Sequence, residues 1–182
     1  MLKKGLFIVF CLLFSFSAEA KKGINVFAYS RPVPATAVYN RYGQKTALAD
    51  FKGDFILAVF WSRYCVPCIK ELDDLNSFVK QTRDSGIRVM IISKDDEWTG
   101  AGEQKELLNK YGAPDLDFYV DKDGRLSGDF GIFASPHTVL VNKAGEEFGR
   151  ISGSLDWDDE DVIEEIYKLK AQYGEGLPSD DE

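Results

Sequence analysis

Residues 55–68 read Phe-Ile-Leu-Ala-Val-Phe-Trp-Ser-Arg-Tyr-Cys-Val-Pro-Cys, and this stretch decides the fold. Its first half, Phe55–Trp61, is an unbroken apolar run of strand length, which favours a central strand buried on both faces. Its second half places Cys65 and Cys68 between that strand and the start of an amphipathic helix. The stretch therefore predicts a strand–loop–helix unit with two cysteines at the helix N-terminus.

The position of the cysteine pair predicts redox chemistry. A helix N-terminus presents unpaired backbone N–H groups and the positive end of the helix dipole, which stabilise a thiolate. Two intervening residues bring the second sulfur within disulfide reach, and Pro67 is tolerated in the first helical turn. We expect Cys65, nearer the loop, to be the nucleophile that forms a mixed disulfide, and Cys68 to be the resolving thiol. The alternatives are a metal-binding pair and an inert pair.

The elements on either side of this stretch predict a thioredoxin-like α/β fold with a central mixed β-sheet flanked by helices. Parallel strands joined by helices and finished by an antiparallel hairpin are typical of that fold. Residues 36–48 read as two short strands around a turn, which adds an N-terminal β-hairpin extension. The elements predicted downstream are helices over 66–85, 103–111 and 158–173, and strands over 87–93, 116–120, 138–142 and 146–151.

The chain divides into four predicted segments. Residues 1–20 combine a lysine-containing start, an apolar run and small residues at the end, which predicts a secretory signal cleaved after residue 20. A retained membrane anchor is the alternative, although the apolar run is shorter than the about 20 residues that span a bilayer. Residues 21–34 read as a loop or arm, residues 35–173 as the thioredoxin-like domain, and residues 174–182 as a disordered acidic tail.

Composition argues against several classes of function. A net charge of −8 makes binding to nucleic acid or to an anionic membrane surface unfavourable. Because Cys11 lies in the predicted signal, only two cysteines and the single histidine, His137, remain as soft ligands. Structural zinc usually takes four ligands, so a zinc site is disfavoured. We expect a monomer that holds no metal and no cofactor.

A second motif brings out a resemblance to a known family. Ala134-Ser135-Pro136-His137-Thr138 places a proline directly before a predicted strand. With residues 61–68 and the hairpin that follows, it resembles the thioredoxin superfamily, and more closely the exported TlpA/ResA/CcmG (DsbE)-type group. Cys68-Ile69-Lys70-Glu71-Leu72 resembles that group's glutamate just past the motif, and Ser154-Leu155-Asp156-Trp157 looks most like the TlpA branch. The resemblance covers roughly residues 34–173.

The resemblance implies a site and a function. Pro136 would be cis and would pack beside the cysteine pair, and Ser135 would present backbone groups to an extended substrate segment. The chain would be a periplasmic thiol–disulfide oxidoreductase that reduces disulfides in partner proteins during maturation of cytochrome c or of the copper centres of cytochrome oxidase. Its partners would be apocytochrome c or copper-site assembly proteins, and a membrane thiol reductase would supply the electrons.

Residues around the pair are candidate supports of the active site. We expect Trp61 and Tyr64 to pack around the loop, and Arg63 to be either solvated or a positive charge that favours the nucleophilic thiolate. Thioredoxin's buried aspartate, six residues before its first cysteine, is replaced here by Val59, so another group or water must take the proton of the resolving thiol. Glu71 is either that group or a structural residue, and we favour the structural role.

Two other functions fit parts of the pattern. A Cu(I) carrier could use both thiolates and His137, since soft thiolates and imidazole suit Cu(I). Copper carriers of the Sco type space their cysteines by three residues rather than two, which disfavours this reading. A peroxidase of the same fold is disfavoured because Ser62 stands where a threonine is expected, three residues before the reactive cysteine. We expect His137 to be a strand-edge residue without a ligand role.

Overall fold

The computed structural model describes residues 23–176, so the predicted signal over 1–20 and residues 177–182 of the predicted acidic tail lie outside the described residues. Within 23–176 the chain forms one mixed sheet with helices on both faces. The strands are β1 (Ile24–Pro32), β2 (Ala37–Asn40), β3 (Lys45–Ala47), β4 (Phe55–Phe60), β5 (Ile87–Lys94), β6 (Asp117–Asp121), β7 (His137–Val141) and β8 (Glu146–Ser152). The helices are α1 (Val66–Lys70), α2 (Leu72–Gln81), α3 (Ala101–Lys110), α4 (Arg125–Asp129) and α5 (Glu160–Tyr173).

The sheet has the order β1-β8-β7-β4-β5-β6-β2-β3. β4 is parallel to β5 and β5 is parallel to β6, whereas β7 runs antiparallel to both β4 and β8. β2 and β3 form the predicted N-terminal hairpin, and β2 extends the sheet beyond β6. The predicted mixed sheet, its flanking helices and the hairpin extension are confirmed.

The central strand β4 is buried on both faces, as its apolar run predicts. Alternate residues along a strand point to opposite faces, and those of β4 enter two separate cores. One core holds Cys68 with apolar side chains of α2 and α5, and the other holds apolar side chains of α4 and β2. β4 is therefore held from both sides at the point where the cysteine loop leaves it.

The prediction of a loop or arm over residues 21–34 is wrong for Ile24–Pro32, which forms the edge strand β1. β1 pairs antiparallel with β8, with a shift of register between Val26 and Arg31. The Arg31 guanidinium meets the buried carboxylate of Glu147 at 2.7 Å. Pro32 ends the strand, where a missing N–H is tolerated on a sheet edge. The prolines of this segment favour a loop, and its partner strand β8 lies too far along the chain for local sequence to indicate the pairing.

Gly149 of β8 allows β1 to lie this close. A Cβ at this position would stand 2.8 Å from the carbonyl oxygen of Asn25 and 3.3 Å from a methyl group of Leu140. Because backbone cannot yield as a flexible side chain does, we expect Gly149→Ala to lower the free energy of unfolding by about 1–3 kcal/mol.

Urea unfolding and amide hydrogen exchange in β1 measure this loss. Gly102→Ala is the matched control, because a Cβ there meets nothing within 4 Å. Unchanged stability and unchanged exchange in β1 for Gly149→Ala would show that this close approach does not limit the residue at position 149.

The single helix predicted over 66–85 is divided into α1 and α2 by Glu71. The Glu71 backbone lies at φ −89° and ψ −2°, outside regular helical geometry. The second helix ends at Gln81, before the predicted end. At Thr82 the backbone N–H and the hydroxyl both donate to the carbonyl of Phe78 at 2.9 Å. The break leaves the cysteines on a short helix of their own.

Candidate active site

Cys65 and Cys68 form a disulfide at the start of α1, with their Cα atoms 5.2 Å apart. Cys65 is the N-cap residue of α1, and the backbone N–H of Cys68 donates to its Sγ at 3.2 Å. Cys65 is partly exposed, whereas Cys68 is 1% exposed and belongs to the core. The sulfur open to a partner is therefore that of Cys65, as the role of nucleophile requires.

The loop before β7 lies against the accessible sulfur. The Ser135–Pro136 peptide bond is cis, which confirms what the resemblance implied. The carbonyl oxygen of Ser135 lies 3.4 Å from Sγ of Cys65. Ser135 and Pro136 are thus brought to the cysteine pair.

Pro67 stands in the first turn of α1, where its missing N–H has no helical partner to lose.

Glu71 is the C-cap residue of α1, three positions after Cys68, and only 5% of its surface is exposed. Its Oε2 accepts hydrogen bonds from the backbone N–H of Leu155 at 3.2 Å and from Nε1 of Trp157 at 3.3 Å. Burial raises the pKa of this carboxyl to about 7, although the two hydrogen bonds oppose the shift. Near neutral pH, Glu71 can therefore either hold or release a proton.

The two aromatic residues of the loop behave differently. Trp61 is 3% exposed and packs against Trp98, with ring centroids 5.6 Å apart, as expected of a packing residue. Tyr64 is 77% exposed, so the expectation that it packs around the loop is wrong. Its only described ring contact is with the guanidinium of Arg63, at 5.9 Å. Tyr64 therefore projects into solvent, whereas Trp61 is buried.

Arg63 is neither simply solvated nor free to act on the thiolate. Its Nη1 donates to Oε1 of Glu103 at 2.6 Å and to the carbonyl of Glu97 at 2.9 Å, and its backbone N–H donates to Glu97 Oε2. Hydrogen bonds from Thr99 and from Arg63 lower the pKa of Glu103 to about 2. The charge of Arg63 is matched by these carboxylates, so the side chain ties the cysteine loop to the start of α3.

His137 lies on the wrong face of the sheet to join the cysteines. In β7, Val139 and Val141 belong to the core opposite the one that holds Cys68. Strand alternation places His137 on the same face as these two valines. Burial and the charge of Arg150 lower the pKa of His137. Among residues 23–176 no three His, Cys, Asp or Glu side chains could hold a metal ion together, so the Cu(I) alternative loses its third ligand.

A cleft of about 320 Å³ opens beside Cys65. Trp61, Tyr64, Phe133 and Ser135 are among the residues that line it, together with Cys65 itself. Because Cys65 lines the cleft and is partly exposed, an extended chain can reach its sulfur from this side.

The sequence profile of the AhpC/TSA family matches residues 29–146, which include the whole site apart from the segment that bonds Glu71. The chain belongs to the AhpC/TSA family. The chain is similar to ResA, a thiol-disulfide oxidoreductase of Bacillus cereus (strain ATCC 10987 / NRS 248), with 29% identity over 140 residues that cover 76% of this chain and 75% of ResA.

Two further proteins are similar to this chain. The thiol:disulfide interchange protein DsbE of Vibrio cholerae is 30% identical over 95 residues, which cover 52% of this chain and 48% of DsbE. The thioredoxin domain of a thiol-disulfide oxidoreductase from Bacteroides vulgatus superposes with a TM-score of 0.62 at 22% identity, covering 77% of this chain and 98% of that domain. The predicted thioredoxin-like fold and enzyme class, a thiol–disulfide oxidoreductase, are confirmed.

Several residues of this AhpC/TSA site were missed by sequence reasoning. Glu97, Trp98 and Glu103 hold the cysteine loop through Arg63 and Trp61, but they lie more than thirty positions away and belong to no motif. Phe133 is 94% exposed beside Cys65. The signal that could have found Phe133 is an aromatic residue in the turn directly before the Ser135–Pro136 motif.

Proposed function

We propose that this AhpC/TSA family member is an exported protein-disulfide reductase that works through Cys65 and Cys68. The observation that carries the proposal is the asymmetry of the pair: one sulfur is accessible at an open cleft, and the other is buried in the core. A nucleophile has to reach its partner, whereas a resolving thiol has to reach only its neighbour.

The proposed cycle transfers two electrons to the partner. The Cys65 thiolate attacks one sulfur of a partner disulfide, and that S–S bond breaks to release the partner's other sulfur as a thiolate. Cys68 then loses its proton and attacks Cys65, which releases the partner's remaining thiolate and leaves the Cys65–Cys68 disulfide. The two partner thiolates take up protons. A membrane thiol reductase would return two electrons to the pair, one for each cysteine.

Glu71 is proposed as the group that takes the proton of Cys68. It follows Cys68 by three residues at the end of α1, is buried, and has a pKa raised to about 7, mainly by that burial. A carboxyl with this pKa can accept and return a proton near neutral pH. Val59 of β4 stands where thioredoxin has a buried aspartate, so this position offers no carboxylate to accept the proton of Cys68. Glu71 is the buried carboxyl proposed to accept it instead.

The proposed setting is the periplasm, and the proposed substrates are apocytochrome c or copper-site assembly proteins. The similarity to ResA and DsbE supports this setting, together with the secretory pattern of residues 1–20. Within 23–176 no helix has the length and apolar character needed to cross a bilayer. Cleavage after residue 20 would release residues 35–173 as a soluble reductase domain, and a retained signal would anchor it.

The reduction potential of the pair tests the direction of electron flow. We expect a value at or below that of thioredoxin, about −270 mV, because a reductant must be able to pass electrons to its partners. Trp61, packed behind the loop, reports the equilibrium by fluorescence in thiol/disulfide buffers, and thiol trapping checks it. A value near that of the oxidant DsbA, about −120 mV, would recast the protein as an oxidant or isomerase. No reversible couple at all would overturn the redox function.

A further inference from the structure

Three exposed apolar side chains neighbour Cys65 in the chain or in its cleft. Tyr64 is 77% exposed, Val66 is 65% exposed and Phe133 is 94% exposed. Tyr64 and Val66 flank Cys65 in the chain, and Phe133 lines the same cleft as Cys65. Isolated exposed apolar residues are common, but a group of them around a reactive atom indicates an interaction surface. We call Tyr64, Val66 and Phe133 the apolar rim.

The loop that carries Phe133 is held in place. The backbone N–H of Ile132 donates to the carbonyl of Ser127 at 2.8 Å. The buried carboxylate of Asp121 accepts from the backbone N–H groups of Leu126 and Ser127 at 2.8 and 2.9 Å, which anchors α4 just before the loop. Phe133 is therefore presented to solvent by an ordered backbone, which lowers the entropic cost of binding a partner.

The cleft beneath the apolar rim can take one apolar side chain. Phe60, Ile92 and Ile132 line its floor and are almost fully buried. Its charged lining residues are Lys94, Glu97 and Asp121, and the Asp121 carboxylate already accepts from the backbone N–H groups of Leu126 and Ser127. A cleft of about 320 Å³ with an apolar floor has room for one branched or aromatic side chain.

Beyond Val66 the surface is acidic. A second cleft there is lined by Asp74 and Asp156, with Lys70 as its single ammonium group. Burial and three neighbouring aspartates raise the pKa of Asp74, so negative charge is crowded at this place. The whole chain carries a net charge of −8. A partner segment that crosses Val66 therefore gains from positive charge.

We propose that the apolar rim binds an extended partner segment with an apolar side chain next to its disulfide cysteine and basic residues flanking the disulfide. The apolar side chain enters the cleft beside Cys65, and the basic residues lie over Asp74 and Asp156. This inference rests on the proposed function. A second copy of this chain is a poor occupant, because two surfaces of the same negative sign would face each other.

A synthetic peptide with one intramolecular disulfide tests the apolar contact. The peptide carries leucine next to the first cysteine and lysines on both sides of the bridge, and DTNB serves as a small disulfide without a peptide chain. We expect Phe133→Ser to lower the ratio of kcat/KM for the peptide to kcat/KM for DTNB by about tenfold. Tyr29→Ser, which removes an aromatic residue that is 73% exposed on β1, is the matched control and should leave the ratio unchanged. An unchanged ratio in Phe133→Ser would overturn the apolar contact.

A charge-reversed twin of the peptide, with glutamates in place of the lysines, tests the acidic surface. We expect wild type to reduce the lysine peptide faster than the glutamate peptide, and this preference should shrink as the salt concentration rises. The preference should also be smaller in the double variant Asp74→Asn, Asp156→Asn. Equal rates for both peptides at low salt would overturn the preference for basic partners. If wild type reduced neither the peptides nor DTNB, the proposed reductase itself would be wrong, so the two failures are distinguishable.

Discussion

Cys65→Ser abolishes disulfide exchange, whereas Cys68→Ala captures the partner as a stable mixed disulfide. The expectation follows from the exposure of the two sulfurs: Cys65 is accessible at the cleft, and Cys68 is 1% exposed in the core. Without Cys65 no accessible sulfur remains in residues 23–176, because Cys68 cannot reach a partner. Without Cys68 the first exchange proceeds, but no neighbouring thiol resolves it.

The loss in Cys65→Ser should be at least about a thousandfold in kcat/KM, as expected when the nucleophile of a covalent cycle is removed. Non-reducing gels and mass spectrometry should detect the mixed disulfide with Cys68→Ala only. Ser62→Ala is the matched control for a small change in the same loop. Alanine is chosen at position 68 because it leaves no hydroxyl in the apolar core that holds Cys68. Capture by Cys65→Ser instead would exchange the two roles.

The parts of the fold that sequence predicts well are those determined by local pattern. β4 and the cysteine pair that follows it are predicted together, because an unbroken apolar run and a helix start constrain each other over fourteen residues. The β2–β3 hairpin is predicted for the same reason, since its turn lies between its own strands. The cis Ser135–Pro136 bond is expected only from the family resemblance, because no local sequence rule requires a cis bond there.

The parts that sequence does not predict depend on distant contacts. β1 pairs with β8 across more than a hundred residues, and its prolines suggested a loop instead. Local sequence predicts that Arg63 meets either solvent or the thiolate, because its actual partner Glu103 lies forty positions away. The hydrogen bond between Glu71 and Trp157 joins residues 86 positions apart, so no local pattern predicts it. Periodicity within one helix cannot report which partner a charged residue will meet.

Glu71→Gln should stabilise the protein at alkaline pH while slowing the resolving step. The pKa of Glu71 is raised by burial from 4.5 to about 7 in the folded chain, so between these values the folded state holds a proton that the unfolded state has lost. Stability must therefore fall as pH rises through this window, by about 3 kcal/mol in total. Below pH 4.5 both states are protonated, so the ionisation of this carboxyl no longer destabilises the folded protein.

Glutamine removes the titration and keeps an oxygen that can accept from Trp157 Nε1 and the Leu155 N–H. The variant should therefore match wild type at pH 4 and exceed it by about 3 kcal/mol at pH 8 in urea unfolding of the oxidised protein. Glu106→Gln, at an exposed carboxyl on α3, is the control and should show no such dependence.

The same variant separates the proton-transfer role of Glu71 from a structural one. If Glu71 takes the proton of Cys68, Glu71→Gln is more stable at pH 8 and yet slower in resolving a mixed disulfide, with a flattened pH profile near 7. A residue that served only packing would lose no rate in a better-folded variant. A stability difference that stays constant from pH 4 to pH 8 would instead mean that the carboxyl ionises normally, and the proposed proton acceptor would have to be sought elsewhere.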